Sequence, residues 1–283
     1  MVDANSFSEP QSNYLQVNGL RLHYLDWGGE GPPRIISHAT GFLGRVYRPI
    51  AQALCATNHV YSLDQRGHGD SQCPPLEAIS WYHTADDLER WLEAMGFGAV
   101  HAFGHSAGGT AIAAVADRRP DLVARAMLVE PVLIDPADPQ ERPGQLYERT
   151  LKRKPTFDSI EAMSTNFAAK PPYASWRKDL LHDYCEHGTR ADSDGRRVLR
   201  CPPAVEARLY QNARDFDGLS RLLAATVPML VVFGEASDSP GIESAERIAA
   251  RHRVRVARGC GHLAPMEQPD AIAQMAVEFF SAT

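Results

Sequence analysis

The sequence predicts an α/β fold with a mostly parallel sheet, and three observations carry that prediction. Short apolar strands without polar alternation recur along the chain. Helical stretches separate them. A long segment without a convincing buried strand interrupts the series once. Apolar runs that do not alternate suit strands covered on both faces, and strand, helix, strand in repetition implies right-handed crossovers.

The first element is a hairpin. Two alternating runs between Tyr14 and Trp27 are split by Asn18-Gly19, the strongest short turn signal in the chain. Strands then follow at Ile35–His38, Val60–Leu63, Val100–Phe103, Ala126–Val129 and Met229–Phe233, with helices near 46–55, 84–95, 107–118 and 242–252. Residues 132–224 hold many prolines, aromatics and charges, 15 basic against 14 acidic. At 93 residues the segment is too long for a loop, so a mainly helical insertion is expected, with one short extended piece around Arg196–Leu199. The core is then 1–131 with 225–283, and the insertion is 132–224.

Composition narrows the function. The chain of 283 residues carries a formal charge of −6, which gives no general attraction toward nucleic acid or anionic membranes. No uncharged apolar run reaches the length that spans a bilayer. The N-terminus lacks the basic start and apolar stretch of a signal peptide, and five scattered cysteines form no Cys-x-x-Cys pair. A cytoplasmic protein with a small-molecule substrate is expected. Neither nucleic acid nor membrane is expected as a partner, and nothing in the sequence sets an oligomeric state.

The chemistry concentrates at Gly104-His105-Ser106-Ala107-Gly108, which follows a strand and opens a small-residue helix. A serine on such a sharp turn projects its hydroxyl above the sheet, glycines relieve the crowding, and the first amides of the helix can serve an oxyanion. Serine needs a base to take its proton, and the base needs a carboxylate to fix its tautomer. Other signals read as bland. His182, Cys185, Glu186 and His187 match no zinc spacing, Lys152-Arg153-Lys154 is an isolated basic triplet, and no dinucleotide fingerprint is present.

With this elbow, the chain resembles the α/β-hydrolase family. His38-Ala39-Thr40-Gly41-Phe42 stands where the family usually has His-Gly-x-x, and Asp64-Gln65-Arg66-Gly67-His68-Gly69-Asp70-Ser71 matches Asp-x-Arg-Gly-x-Gly-x-Ser. Gly261-His262 precedes Glu267-Gln268-Pro269, as in Gly-His-…-Glu-x-Pro. The resemblance implies an α/β-hydrolase fold whose insertion after the sixth strand is a cap. It also implies a cofactor-free serine hydrolase without a metal, with Ser106 as nucleophile and His262 as base.

For the acid, Asp238 in Gly234-Glu235-Ala236-Ser237-Asp238 is expected, with Glu130 as chief rival and Glu235 third. The oxyanion donors implied are Ala107 and Thr40. His38 and His105 are expected to orient turns, and the Asp64–Gly69 run to be a structural turn below the site. The insertion's aromatics, with Phe42 and Leu263, are expected to line a largely apolar substrate pocket that favours neutral esters of small to medium size. Lactone, thioester or carbon–carbon bond hydrolysis and perhydrolysis would use the same triad, and a small-molecule receptor on this scaffold is the alternative from another class. Epoxide hydrolases and haloalkane dehalogenases of the family place an aspartate where this chain has Ser106.

Overall fold

A computed structural model describes residues 9–134, 144–239 and 241–282. The hairpin forms as the turn signal predicts: β1 (Gln11–Val17) pairs antiparallel with β2 (Leu20–Gly28), with Asn18 and Gly19 both at positive φ. Next come β3 (Pro33–Ser37), α1 (Arg48–Leu54), β4 (His59–Leu63), α2 (Trp81–Met95), β5 (Val100–His105), α3 (Ala107–Arg118) and β6 (Val123–Val129). The insertion supplies α4 (Gly144–Leu151), β7 (Thr156–Phe157), α5 (Ile160–Ala168), α6 (Lys178–His187), β8 (Thr189–Ala191), β9 (Arg197–Leu199), α7 (Pro203–Gln211) and α8 (Gly218–Ala224). The core resumes with β10 (Met229–Gly234), α9 (Ala245–Ala249), β11 (Arg253–Ala257), α10 (Ala264–Glu267) and α11 (Pro269–Ser281).

Eight strands form one sheet in the order β1-β2-β4-β3-β5-β6-β10-β11, parallel from β4 to β11. The central strands read as continuous apolar runs because both faces are packed. Ala102, Ala126, Leu128, Val231 and Phe233 face one apolar cluster with α2, α3 and α8, while Phe103, Met127, Val129, Leu230 and Val232 face a second with α1 and α11. Helix α3 is buried from Ala107 to Ala116, which its run of alanines and glycines permits.

Three features depart from the sequence reading. The edge strand β11 was not expected, because Arg-Val-Arg-Val reads as a polar surface segment and the strand is half exposed. The C-terminal helix α11 lies against α1 and was also not foreseen. In the insertion the extended piece expected near 196–199 is β9, but it is the middle strand of a small antiparallel sheet whose outer strands, β7 and β8, were not foreseen.

Candidate active site

Ser106 sits between β5 and α3 at φ 51° and ψ −121°, a strained conformation for a residue with a side chain. The flanking glycines make the turn possible. A Cβ on Gly104 would lie 2.6 Å from the Gly109 Cα, and one on Gly108 would lie 2.2 Å from the Ser37 carbonyl oxygen. Ser106 Oγ is 3.0 Å from His262 Nε2, although 156 residues separate them in the chain. Serine and histidine therefore meet as the sequence expects.

The acid does not. Asp238 lies exposed on the loop after β10 and has no hydrogen bond or ion pair with His262 among the described residues, whereas Glu130 Oε2 is 3.2 Å from His262 Nδ1. The reason is local. Glu130 ends β6, is fully buried and, like Ser106, sits at φ 51°. Its carboxylate accepts hydrogen bonds from the Gly234 amide and from Ser237 Oγ, 2.6 Å away. Ser237 stands where the family's aspartate would, and its hydroxyl serves the glutamate instead. Burial opposes ionisation of Glu130, but the bonds from His262, Ser237 and Gly234 outweigh it and hold its carboxyl below the ordinary range. Glu235, the third candidate, is exposed and accepts the Gly259 amide.

The loop from His38 to Phe42 lies beside the elbow. Tyr47 Oη accepts the Ala39 N–H at 3.0 Å, and His68 Nε2 accepts the Gly41 N–H at 3.0 Å. The Gly41 carbonyl accepts from Tyr184 of the insertion, and that of Ala39 accepts from Phe42 N–H and from His38 Nδ1. The Thr40 N–H has no hydrogen-bond partner among the described residues, nor has that of Ala107, the first residue of α3. These are the two donors expected for an oxyanion.

His38, His68 and His105 are all fully buried. Burial keeps each neutral, pushing His68 and His105 down to about 3 and lowering His38. The Arg66 carbonyl fixes the His68 proton on Nδ1, which leaves Nε2 as the acceptor that the Gly41 amide requires. The Asp64–Gly69 run is thus a structural turn that also holds the neighbouring loop.

An imidazole whose folded pKa lies below its unfolded value of about 6.5 contributes stability that is complete above that value. It is lost as pH falls, at up to about 1.4 kcal/mol per pH unit for each neutral buried ring. The urea midpoint should therefore fall steeply between pH 7 and pH 5. A flat profile there would show that these rings are charged in the folded chain.

Between core and insertion lies a cavity of about 870 Å³, open on one side, that exposes Ser106 and His262. Thr40, Phe42 and Leu263 line it from the core, and Phe157, Phe167, Tyr173 and Tyr210 line it from the insertion. Trp176 and Tyr184 pack edge-on against Phe42, with ring centroids 5.1 and 5.5 Å away, so these two seat the insertion on the core. Among the described residues the wall also carries Arg149, Lys152, Arg153, Lys154, Lys170 and Arg214 against Glu206 and Asp238. Arg153 pairs with Glu206 and bonds the hydroxyls of Tyr173 and Tyr184 at 3.1 Å each. The triplet at 152–154 read as an isolated basic feature; only the fold shows that it borders the cavity, with Lys152 and Lys154 still exposed. Among the described residues no group of three His, Cys, Asp or Glu side chains is arranged to hold a metal ion, and no helix is long and apolar enough to cross a membrane.

Comparison with known proteins places this geometry. A hydrolase of 2-(acetamidomethylene)succinate from Mesorhizobium japonicum is 26% identical over 264 residues, 90% of each chain. A soluble epoxide hydrolase from Corynebacterium sp. is 30% identical over 286 residues, 97% of this chain and 98% of its own. The crystal structure of an E-2-(acetamidomethylene)succinate hydrolase superposes with a TM-score of 0.86 over 96% of this chain and 100% of its own, at 23% identity. The sequence model of the alpha/beta hydrolase family matches residues 31–275, and with the sheet order and the serine elbow it shows that the chain belongs to that family.

Proposed function

We propose that this chain is a serine hydrolase that needs no cofactor, cleaves an ester or amide bond of a small to medium substrate through an acyl-enzyme on Ser106, and prefers substrates bearing a carboxylate. The observation that carries the reading is the line from Ser106 through His262 to Glu130, 3.0 and 3.2 Å per link, opening into the cavity between core and insertion. His262 Nε2 takes the Ser106 proton as Oγ attacks the substrate carbonyl. Glu130 holds the other ring proton on Nδ1 and stabilises the imidazolium. The oxyanion accepts hydrogen bonds from the Thr40 and Ala107 amides, and His262 then protonates the leaving alcohol or amine. Water activated by the same ring releases the acid. On an epoxide, Ser106 would form an ether, which has no carbonyl for water to attack, so the likeness to an epoxide hydrolase supports the fold and not that reaction.

The insertion serves as the cap, and its wall sets the substrate class. The aromatic lining suits an apolar portion, but among the described lining residues, with Arg153 and Glu206 paired to each other, five further cations against one further carboxylate favour an anionic group over a wholly neutral molecule. The Mesorhizobium relative is named for 2-(acetamidomethylene)succinate, an amide with two carboxylates, which agrees in chemical class with this wall.

The test is kcat/KM for ester pairs of matched length that end in a methyl or in a carboxylate. The carboxylate member should be favoured by about tenfold at low salt and by less at high salt. Lys152→Glu and Lys170→Glu should lower the rate on the anionic ester alone. Equal rates for the pair, or a preference for the neutral member, would restore the purely apolar reading.

A further inference from the structure

One buried hydrogen-bond chain touches the oxyanion loop, the serine elbow and the catalytic histidine. The Ala39 N–H donates to Tyr47 Oη at 3.0 Å, Tyr47 Oη lies 2.7 Å from His105 Nδ1, and His105 Nε2 lies 2.8 Å from the His262 carbonyl oxygen. Its proton directions are determined. A backbone carbonyl can only accept, so His105 Nε2 carries the hydrogen. In a neutral ring Nδ1 is then an acceptor, and Tyr47 must donate to it. Tyr47 and His105 are both fully buried, and burial together with the nearby His262 keeps His105 neutral. Every member is therefore satisfied in one arrangement, and reversing a link would set two donors or two acceptors against each other.

The chain joins the parts that must keep register during catalysis. Ala39 precedes Thr40, whose amide is the unused donor; His105 precedes Ser106; and the carbonyl belongs to the residue whose ring faces Ser106. From this geometry we propose that Tyr47 and His105 are positioning residues, which hold the oxyanion loop and the His262 backbone at fixed distances from Ser106. The inference rests on the reading of Ser106 and His262 as nucleophile and base. Neither positioning residue touches substrate, so their loss should act on transition-state stabilisation and leave ground-state binding alone.

The experiment is a double-mutant cycle with Tyr47→Phe and His105→Asn, assayed on one ester, with active sites counted by a fluorophosphonate. Each single variant should lower kcat per active site by about 10- to 100-fold with KM within about threefold, since a small misplacement of reacting groups costs that much. The double variant should be no worse than the poorer single one, because one broken link already frees the chain. Affinity for a trifluoromethyl ketone should fall in step with kcat/KM, while that for the product carboxylate should hold.

If Tyr47→Phe does not fold, His105→Asn and His105→Gln carry the test. The first keeps an acceptor near Nδ1 and the second a donor near Nε2, and each should show the same loss. Additive losses, or losses that vanish once active sites are counted, would overturn the proposal while leaving the Ser106 reading intact. Native turnover that survives in Ser106→Ala would overturn both.

Discussion

Glu130→Gln should lower kcat by about three to four powers of ten with little change in KM, whereas Asp238→Asn should stay within about twofold of the native rate. The carboxylate is fully buried and accepts three hydrogen bonds, one of them from the catalytic ring. An amide in its place presents a donor to Nδ1 or loses the charge that stabilises the imidazolium, and either effect spoils the base. Asp238 is exposed and has no bond to His262, so neutralising it removes only one charge from the cavity wall. Steady-state kinetics on a single ester separates the two variants. Loss of activity in Asp238→Asn with a native rate in Glu130→Gln would move the acid to the loop after β10.

The larger effect is expected at the nucleophile. Ser106→Ala should lower kcat by about six powers of ten, leaving only the residual rate that binding and oxyanion donors supply. Among the described residues its hydroxyl bonds the His262 ring alone, and alanine removes no buried volume beyond that oxygen. The melting temperature should therefore change little. A variant that loses activity by unfolding would not support a nucleophilic role, so the thermal melt is measured alongside.

How much of this was legible in the sequence differs from part to part, for physical reasons. The serine elbow is a local device: strand, glycine-flanked turn and small-residue helix follow one another, so Ser106 could be read directly. His262 came from its motif and its place late in the chain. For the acid the sequence favoured Asp238 over its named rival Glu130, because Asp238 follows by one place the position that the family usually fills; Ser237 fills that place here and bonds Glu130, which meets His262. A signal was present all the same. A glutamate closing the apolar run Ala126–Val129 is a charge at the end of a buried strand, and it needs partners there.

The edge strand β11 hid behind alternating arginines, since an edge exposed to water permits charges that a central strand excludes. The Tyr47–His105 chain and the cationic cavity wall depend on contacts between residues far apart in sequence, such as 58 positions from Tyr47 to His105 and 157 from His105 to His262. No local pattern announces them. Lys152-Arg153-Lys154 was read as an isolated basic triplet, because only the folded insertion shows that these residues border the cavity.

The central claim, a serine activated by His262 and Glu130, is tested most directly by the rate of phosphonylation by a fluorophosphonate, with the modified residue located by peptide mass spectrometry. The native chain and Asp238→Asn should be labelled rapidly and stoichiometrically at Ser106, Glu130→Gln slower by orders of magnitude, and Ser106→Ala not at all. Rapid labelling of Glu130→Gln, or stoichiometric labelling of a residue other than Ser106, would contradict it.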